Sequence, residues 1–340
     1  MNIIIGTSLL ILVLAIFTLF NYKAPYGTKA MGALASAACA SFLVEAFQDS
    51  FFGKVLGFQF LSEVGGANGS LSGVAAAILV TIAIGVTPGY AVLIGLSVSG
   101  TGIIPGFLAG YLVGFLVKWM ERNIPGGLDL ISIIIIGAPL TRLVAKLLTP
   151  LINSTLLTIG DILTSGAHSN PILMGVILGG TIVVVATAPL SSMALTAMLG
   201  LTGMPMAIGA LSVFGSSFMN GVLFHKLKLG SRKENIAFAV EPLTQADVTS
   251  ANPIPIYVTN FVGGAACGIL IALMKLVNDT PGTATPIAGF AVMFAYNPMI
   301  KVLITALGCI ILSLLAGYFG GIVFKDYKLV TKEELQARDN

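Results

Sequence analysis

Between Ile236 and Gly264 the chain reads IAFAVEPLTQADVTSANPIPIYVTNFVGG, which gathers Glu241, Gln245, Asp247, Thr249 and Asn252 into a short stretch. Two carboxylates beside amides and hydroxyls suit a polyhydroxylated ligand. Each sugar hydroxyl needs an acceptor and a donor, and one carboxylate can accept from two hydroxyls. The alternative is a solvated loop following a basic connector. The apolar sequence on both sides, IAFAV before Glu241 and IPIYVTNFVGG after Asn252, favours a buried polar site.

Other polar groups stand inside or beside apolar runs. His168 precedes Asn170-Pro171 and either bonds a sugar hydroxyl, shares a proton with Glu241, or caps a helix. Asn170-Pro171 and Asn252-Pro253 each join a helix-capping residue to the one preferred at the first helical position, and each opens a run ending in Gly-Gly. As starts of half-helices, they would point free N–H groups into one polar cavity; as starts of full spans, they would lie at the membrane surface. Asn297-Pro298 has no polar neighbours and reads as a plain helix start. Glu45 is a further candidate, lining the cavity or lying at an interface with Gln48 and Asp49. Asp129 starts a long helix, and Arg142 and Lys146 are placed to snorkel.

The chain has no GxSxG, HExxH, Walker A or dinucleotide glycine loop, so no catalytic constellation, cofactor or metal site is expected. The three cysteines, Cys39, Cys267 and Cys309, are scattered in apolar segments and read as packing residues.

The elements that must position these groups are membrane helices. Of 340 residues, 56% are hydrophobic and 9% charged, with a mean hydropathy of +0.99, far from soluble globular usage. An all-α polytopic protein with about ten membrane segments fits this length at roughly 20 residues per span. Candidate helices cover 2–20, 31–47, 70–86, 105–117, 128–156, 171–188, 189–218, 255–274 and 298–324. Shorter apolar pieces at 51–61, 89–99 and 287–296 read as re-entrant or interfacial segments. The 40 glycines, including Gly106, Gly110, Gly114, Gly317 and Gly321, are of the kind that lets helices approach closely in lipid.

Charge orients the chain. The connector His225 to Asn235 and the tail KDYKLVTKEELQARDN each hold four cations, so both are expected to be cytoplasmic. Lys118 and Arg122 point the same way, and the N-terminus is assigned outside. The net charge of +3 follows from this clustering and calls for no nucleic acid.

Four segments, in order, carry a family likeness. GTGIIPGFLAGYLVGFLVKWME (100–121) resembles the glycine-rich hairpin and helix of the membrane IIC components of phosphotransferase-system (PTS) sugar transporters, fructose-type branch. IPGGLDLISIIIIGAPLTRLVAKLLTPLIN (124–153) is similar to their next helix. HSNPILMGVILGG (168–180) is similar to their His-Pro segment, and KENIAFAVEPLTQADVTSANPIPIYVTNFVGG (233–264) to the stretch that frames the sugar. The nearest likeness is to stand-alone IIC-like proteins of the perfringolysin-regulator type. Two departures stand out: His168-Ser169-Asn170-Pro171 replaces His-His-Pro, and ATAPLSSMALTA (186–197) lacks the acid of Asp-x-Gly-Gly-Pro.

The resemblance implies a homodimer in the bacterial plasma membrane, with a scaffold over about 1–120, a transport part with re-entrant hairpins over 121–324, and a cytoplasmic tail from 325 to 340. It implies elevator-type translocation of a carbohydrate or related polar small molecule, with or without a separate IIB partner; phosphotransfer would need separate IIA and IIB proteins. The alternative function is a membrane sensor that keeps the ligand site without transporting.

Overall fold

The computed structural model describes residues 2–188 and 192–334. No strand occurs among them. The chain begins with α1 (Asn2–Lys23) and α2 (Gly27–Ala38), which runs on through π-helical turns at Cys39–Leu43 and Ala46–Val55. Next come α3 (Gln59–Ser70), α4 (Ser72–Ile84), α5 (Pro88–Leu96) and α6 (Ile103–Asn123). After α7 (Leu128–Ser132) a π-helical turn leads into α8 (Ala138–Ser169), which is followed by α9 (Pro171–Thr187), α10 (Ser192–Met198) and α11 (Gly203–Lys226). Then follow α12 (Arg232–Val240), a 3-10 turn (Pro242–Gln245), α13 (Ala246–Ala251), α14 (Pro253–Leu273), α15 (Pro286–Val292) and α16 (Met299–Val323).

Six helices are long and apolar enough to cross a membrane, and α3 with α4, bent by 50°, would make a seventh. Shorter apolar helices at Thr7–Lys23, Pro171–Thr187 and Pro286–Ala295 accompany them. Two expected elements differ. The run 189–218 is divided, because α10 ends at Met198 and Gly200, at φ 58°, turns the chain before α11. Residues 51–61 form a corner, in which the end of the α2 extension turns at Gly57 (φ 79°) into α3. The short pieces read at 89–99 and 287–296 do become the short helices α5 and α15. Proline occupies the first helical position of α5, α9, α14 and α15, where its missing N–H costs no helical bond.

Two helix groups are joined by one apolar core, which runs from Leu10 and Ala30 to Val302 and Cys309. In the first group α6 lies on α4 through Gly106 and Gly110, where an added Cβ would sit 2.7 Å from Gly73 and Ala77 backbone atoms. The second group is α9, α11, α14 and α16. Its central seam is a glycine crossing: Gly175 of α9 meets Gly268 of α14, and Gly179 meets Gly264 and Gly268. A Cβ on Gly175 would fall 2.6 Å from the Gly268 carbonyl oxygen, closer than any real side chain. Residue numbers rise along α9 as they fall along α14, so the pair is antiparallel. The Cys267 thiol lies 3.5 Å from the Cys309 carbonyl oxygen and 3.4 Å from the Ser313 hydroxyl, sealing α14 to α16.

The antiparallel crossing corrects one expectation. Asn170 starts α9 and Asn252 precedes α14, and their helix starts lie at opposite ends of the pair, about 25 Å apart over the 17 residues of α9. Their N–H groups do not converge on one cavity.

Replacing Gly268 with alanine forces a methyl group into the α9 backbone. Overpacking of this kind costs about 1–3 kcal/mol, so the detergent-solubilised protein should melt several degrees lower. Gly66→Ala, at a position with nothing within 4 Å, should leave the melting temperature unchanged or raise it.

Candidate functional site

The polar stretch after the basic connector is built by local rules. The hydroxyl of Ser231 and the carboxylate of Glu234 cap the start of α12 reciprocally. Phe238 is fully buried against Phe224, with ring centroids 4.6 Å apart, and seats α12 on α11. Pro242 then ends the helix, because the residue before a proline is pushed out of helical geometry; Glu241 is extended at φ −145°, ψ 96°. The Glu241 carbonyl oxygen accepts from the Thr244 N–H at 3.0 Å and from its hydroxyl at 2.8 Å, which fixes the turn.

The Glu241 side chain is half-buried and accepts a hydrogen bond from the Thr285 hydroxyl at 3.5 Å. The Cys39 thiol, midway along the extended α2, lies close enough to feel its charge. Thr285 begins α15, and the residue before it, Ala284, offers its carbonyl oxygen to the Ser192 hydroxyl at 2.7 Å at the start of α10. Three chain segments far apart in sequence therefore meet at Glu241, Thr285 and Ser192.

The loop leading to Thr285 is rigid by its own hydrogen bonds. Asn278, fully buried, donates to the Thr283 hydroxyl at 2.9 Å, and the Thr283 hydroxyl donates to the Thr280 carbonyl oxygen at 2.8 Å. Asn297 clamps Val277 on both sides, accepting from its N–H at 3.0 Å and donating to its carbonyl oxygen at 2.7 Å. Phe290 stacks on Phe214 at 4.5 Å, so α15 is held against α11.

The other candidates fall into different places. Gln245 is buried, and its Oε1 has no partner. Thr249 is fully buried and, with Ser250, shares hydrogen bonds with the Tyr257 hydroxyl. The side chains of Asp247 and His168 lie outside the described residues. Asn170 is exposed, and its Oδ1 accepts from the Leu173 N–H at 3.1 Å, so it is a helix cap. Asn252 is buried and bonded on every side: its Nδ2 donates to the carbonyl oxygens of Val248 (2.9 Å) and Val330 (2.8 Å), and its Oδ1 accepts from the Val330 N–H (2.9 Å). Its amide is engaged with backbone and not turned to a ligand space.

Glu45 lies over Gly69 of α3 in a separate group with Asp49, which bonds Ser62 and pairs with Lys54 at 2.7 Å. Asp129 caps its own helix through the Gly127 and Leu130 N–H groups and accepts from Tyr90 at 2.6 Å. The Arg142 guanidinium donates to the carbonyl oxygens of Ser97 and Ser99 at the end of α5.

Besides Thr285 and Ser192, two more polar residues were not singled out in the sequence. Asn220 of α11 and Asn260 of α14 are fully buried; both amide atoms of Asn220, and the Oδ1 of Asn260, have no partner. Met219 packs on Gly263, and Leu223, Phe224 and Ile256 share one apolar cluster, which brings Asn220 and Asn260 to the same level of that helix pair. For Thr285 a signal was present, the threonines of PGTATP between two prolines. For Asn220 and Asn260 there was none, because a lone asparagine in an apolar helix carries no spacing.

Among the described residues no group of His, Cys, Asp or Glu could hold a metal ion. The arrangement offers a carboxylate, hydroxyls and amides at the meeting point of short helices, a set suited to bonding ligand hydroxyls. No curated protein and no solved structure matches the chain. The family model described as Phosphotransferase system, EIIC, however, matches residues 28–337. Nearly the whole chain is thus accounted for, and this multi-pass helical protein belongs to the phosphotransferase system EIIC family, with the membrane carbohydrate permease role that membership supports.

Proposed function

We propose that this EIIC protein binds a carbohydrate or related polar small molecule where Glu241, Gln245, Thr285 and Ser192 meet, and moves it across the bilayer in elevator fashion. The observation that carries this reading is the Glu241 carboxylate, half-buried at the start of α15 in an otherwise apolar protein. A carboxylate set inside the bilayer costs at least about 2.5–3.5 kcal/mol on insertion scales, and charge-assisted bonds to ligand hydroxyls would offset that.

The moving unit we propose is the block α9, α11, α14 and α16 with the short helices α10 and α15. We propose a division after α8, where the sequence suggested one near residue 120; the packing of α8 on α1 and α6 supports this reading. Between the two units lies a cavity of about 280 Å³ lined by Phe42, Ser72, Pro105, Asn153 and Met198, room that sliding would need. The basic connector and the tail touch through the Lys332 N–H and the Leu229 carbonyl oxygen at 2.9 Å. They therefore share one face, which we assign to the cytoplasm. We further propose a homodimer that passes substrate to the cytoplasm, to a separate IIB protein where one is present.

Glu241→Gln keeps the shape and removes the charge. Hydrogen bonds to charged groups contribute about 1.5–3 kcal/mol, so affinity for a sugar found by thermal-shift screening should drop about tenfold or more, measured by calorimetry. Unchanged affinity would take Glu241 out of the site. In proteoliposomes that sugar should enter; binding without entry, for every ligand found, would make the protein a sensor.

The elevator has its own test. With the three native cysteines replaced, Phe42→Cys and Met198→Cys joined by a short bifunctional thiosulfonate should stop uptake while binding persists. Uptake at the normal rate across the tether would rule out relative sliding at this cavity.

A further inference from the structure

We infer that the C-terminal segment Tyr327 to Glu334 is a strap that holds the candidate site in shape through Asn252, which makes Asn252 a positioning residue. This rests on the proposed site at Glu241 and Gln245.

Past α16 the chain folds back onto the protein. Phe324 and Leu329 pack on the apolar cluster of Leu223, Phe224, Leu229, Phe238, Val248 and Ile256. The Asn252 amide then takes both backbone groups of Val330, at 2.9 and 2.8 Å. Two residues on, the Lys332 N–H reaches the Leu229 carbonyl oxygen at 2.9 Å. This two-residue spacing is that of an extended segment, and the primary amide serves Val330 as a neighbouring strand would. Thr331 and Glu334 close the segment: the Thr331 N–H donates to the Glu334 carboxylate at 3.1 Å, and the Glu334 N–H to the Thr331 hydroxyl at 3.3 Å.

The other end of this contact is the site. Gln245 opens α13 and Asn252 closes it, about 10 Å apart at helical rise. A six-residue helix is too short to hold its own geometry, so α13 depends on what grips it. Val248 grips from inside, fully buried in the cluster, and the strap grips from outside. Loss of the strap frees the end of α13 and, through it, the Gln245 and Glu241 turn, whose carboxylate lies within electrostatic reach of Cys39.

Cys39 reports on this without any ligand. It is partly exposed, while Cys267 and Cys309 are buried, so N-ethylmaleimide should alkylate Cys39 first. The full-length protein in detergent is compared with Asn252→Ala, Val330→Pro (which removes the N–H that Asn252 accepts), the double variant, and a chain ending at Tyr327. Tryptic cleavage at Lys325, Lys328 and Lys332 reads strap docking. Each single variant should be cleaved several-fold faster and should raise the Cys39 alkylation rate at least threefold. The double variant should exceed neither, and the shortened chain should match Val330→Pro.

Faster cleavage with unchanged alkylation would make the strap a mere cover and overturn the inference. A rise in alkylation for Asn252→Ala that neither Val330→Pro nor the shortened chain reproduces would mean that Asn252 acts at the site directly, and would overturn it as well. Failure of sugar binding to respond to Glu241→Gln removes the ligand reading alone, since the alkylation assay uses no sugar.

Discussion

Lipid gives helices no hydrophobic reason to associate, so their contacts must come from close fit, and among the described helices the most extensive contact is the glycine crossing of α9 and α14. Backbone lies on backbone at Gly175, Gly179, Gly264 and Gly268, which fixes both the depth and the direction of the pair. The consequences reach the site. With α9 and α14 antiparallel, the end of α9, the turn after Glu241 and the start of α14 come to the same end of the block. Packing of α11 and α16 on α14 through Met219, Gly263 and Gly317 completes a rigid unit. Against that unit α15 is pressed by Phe290, and Thr285 thereby reaches Glu241.

A second constraint decides which polar residues remain for a ligand. Helix ends and breaks leave backbone groups that lipid cannot satisfy, and this chain uses many of its polar side chains on them. Asn170 caps α9, Asn297 clamps Val277, Asn252 clamps Val330, Arg142 and Lys118 cover the carbonyl ends of α5 and α4, and Asp129 caps its own helix. Each of the three Asn-Pro dipeptides thus has a backbone partner. Buried atoms without a partner are found, among the described residues, at Gln245, Asn220 and Asn260, and also at Thr7, Asn21, Gln48, Ser50, Ser217 and Asn235.

Much of the fold was legible in the chain, because bilayer thickness translates directly into run length and proline and glycine mark the breaks. The starts of α9 and α14, the shortness of α5 and α15, and the small-residue seams at Gly106, Gly110 and Gly317 could all be read. The division of 189–218 could not, since an unbroken apolar run looks the same whether it crosses once or turns back. The site was legible in half: Glu241 and Gln245 stood out as polar residues between apolar runs, whereas Thr285 and Ser192 stand about 44 and 49 residues from Glu241 in opposite directions, and no local pattern joins them.

By itself the sequence determined a helical, multi-pass membrane protein with a polar stretch centred on Glu241 and Asn252, because composition and run length act locally. Tertiary structure decided what those two residues do. A glutamate and an asparagine look equally fit to bind a sugar until their neighbours are known. Only the fold brings the Thr285 hydroxyl to the first and both backbone groups of Val330 to the second, so that the carboxylate meets a side chain from another segment while the amide is engaged with backbone.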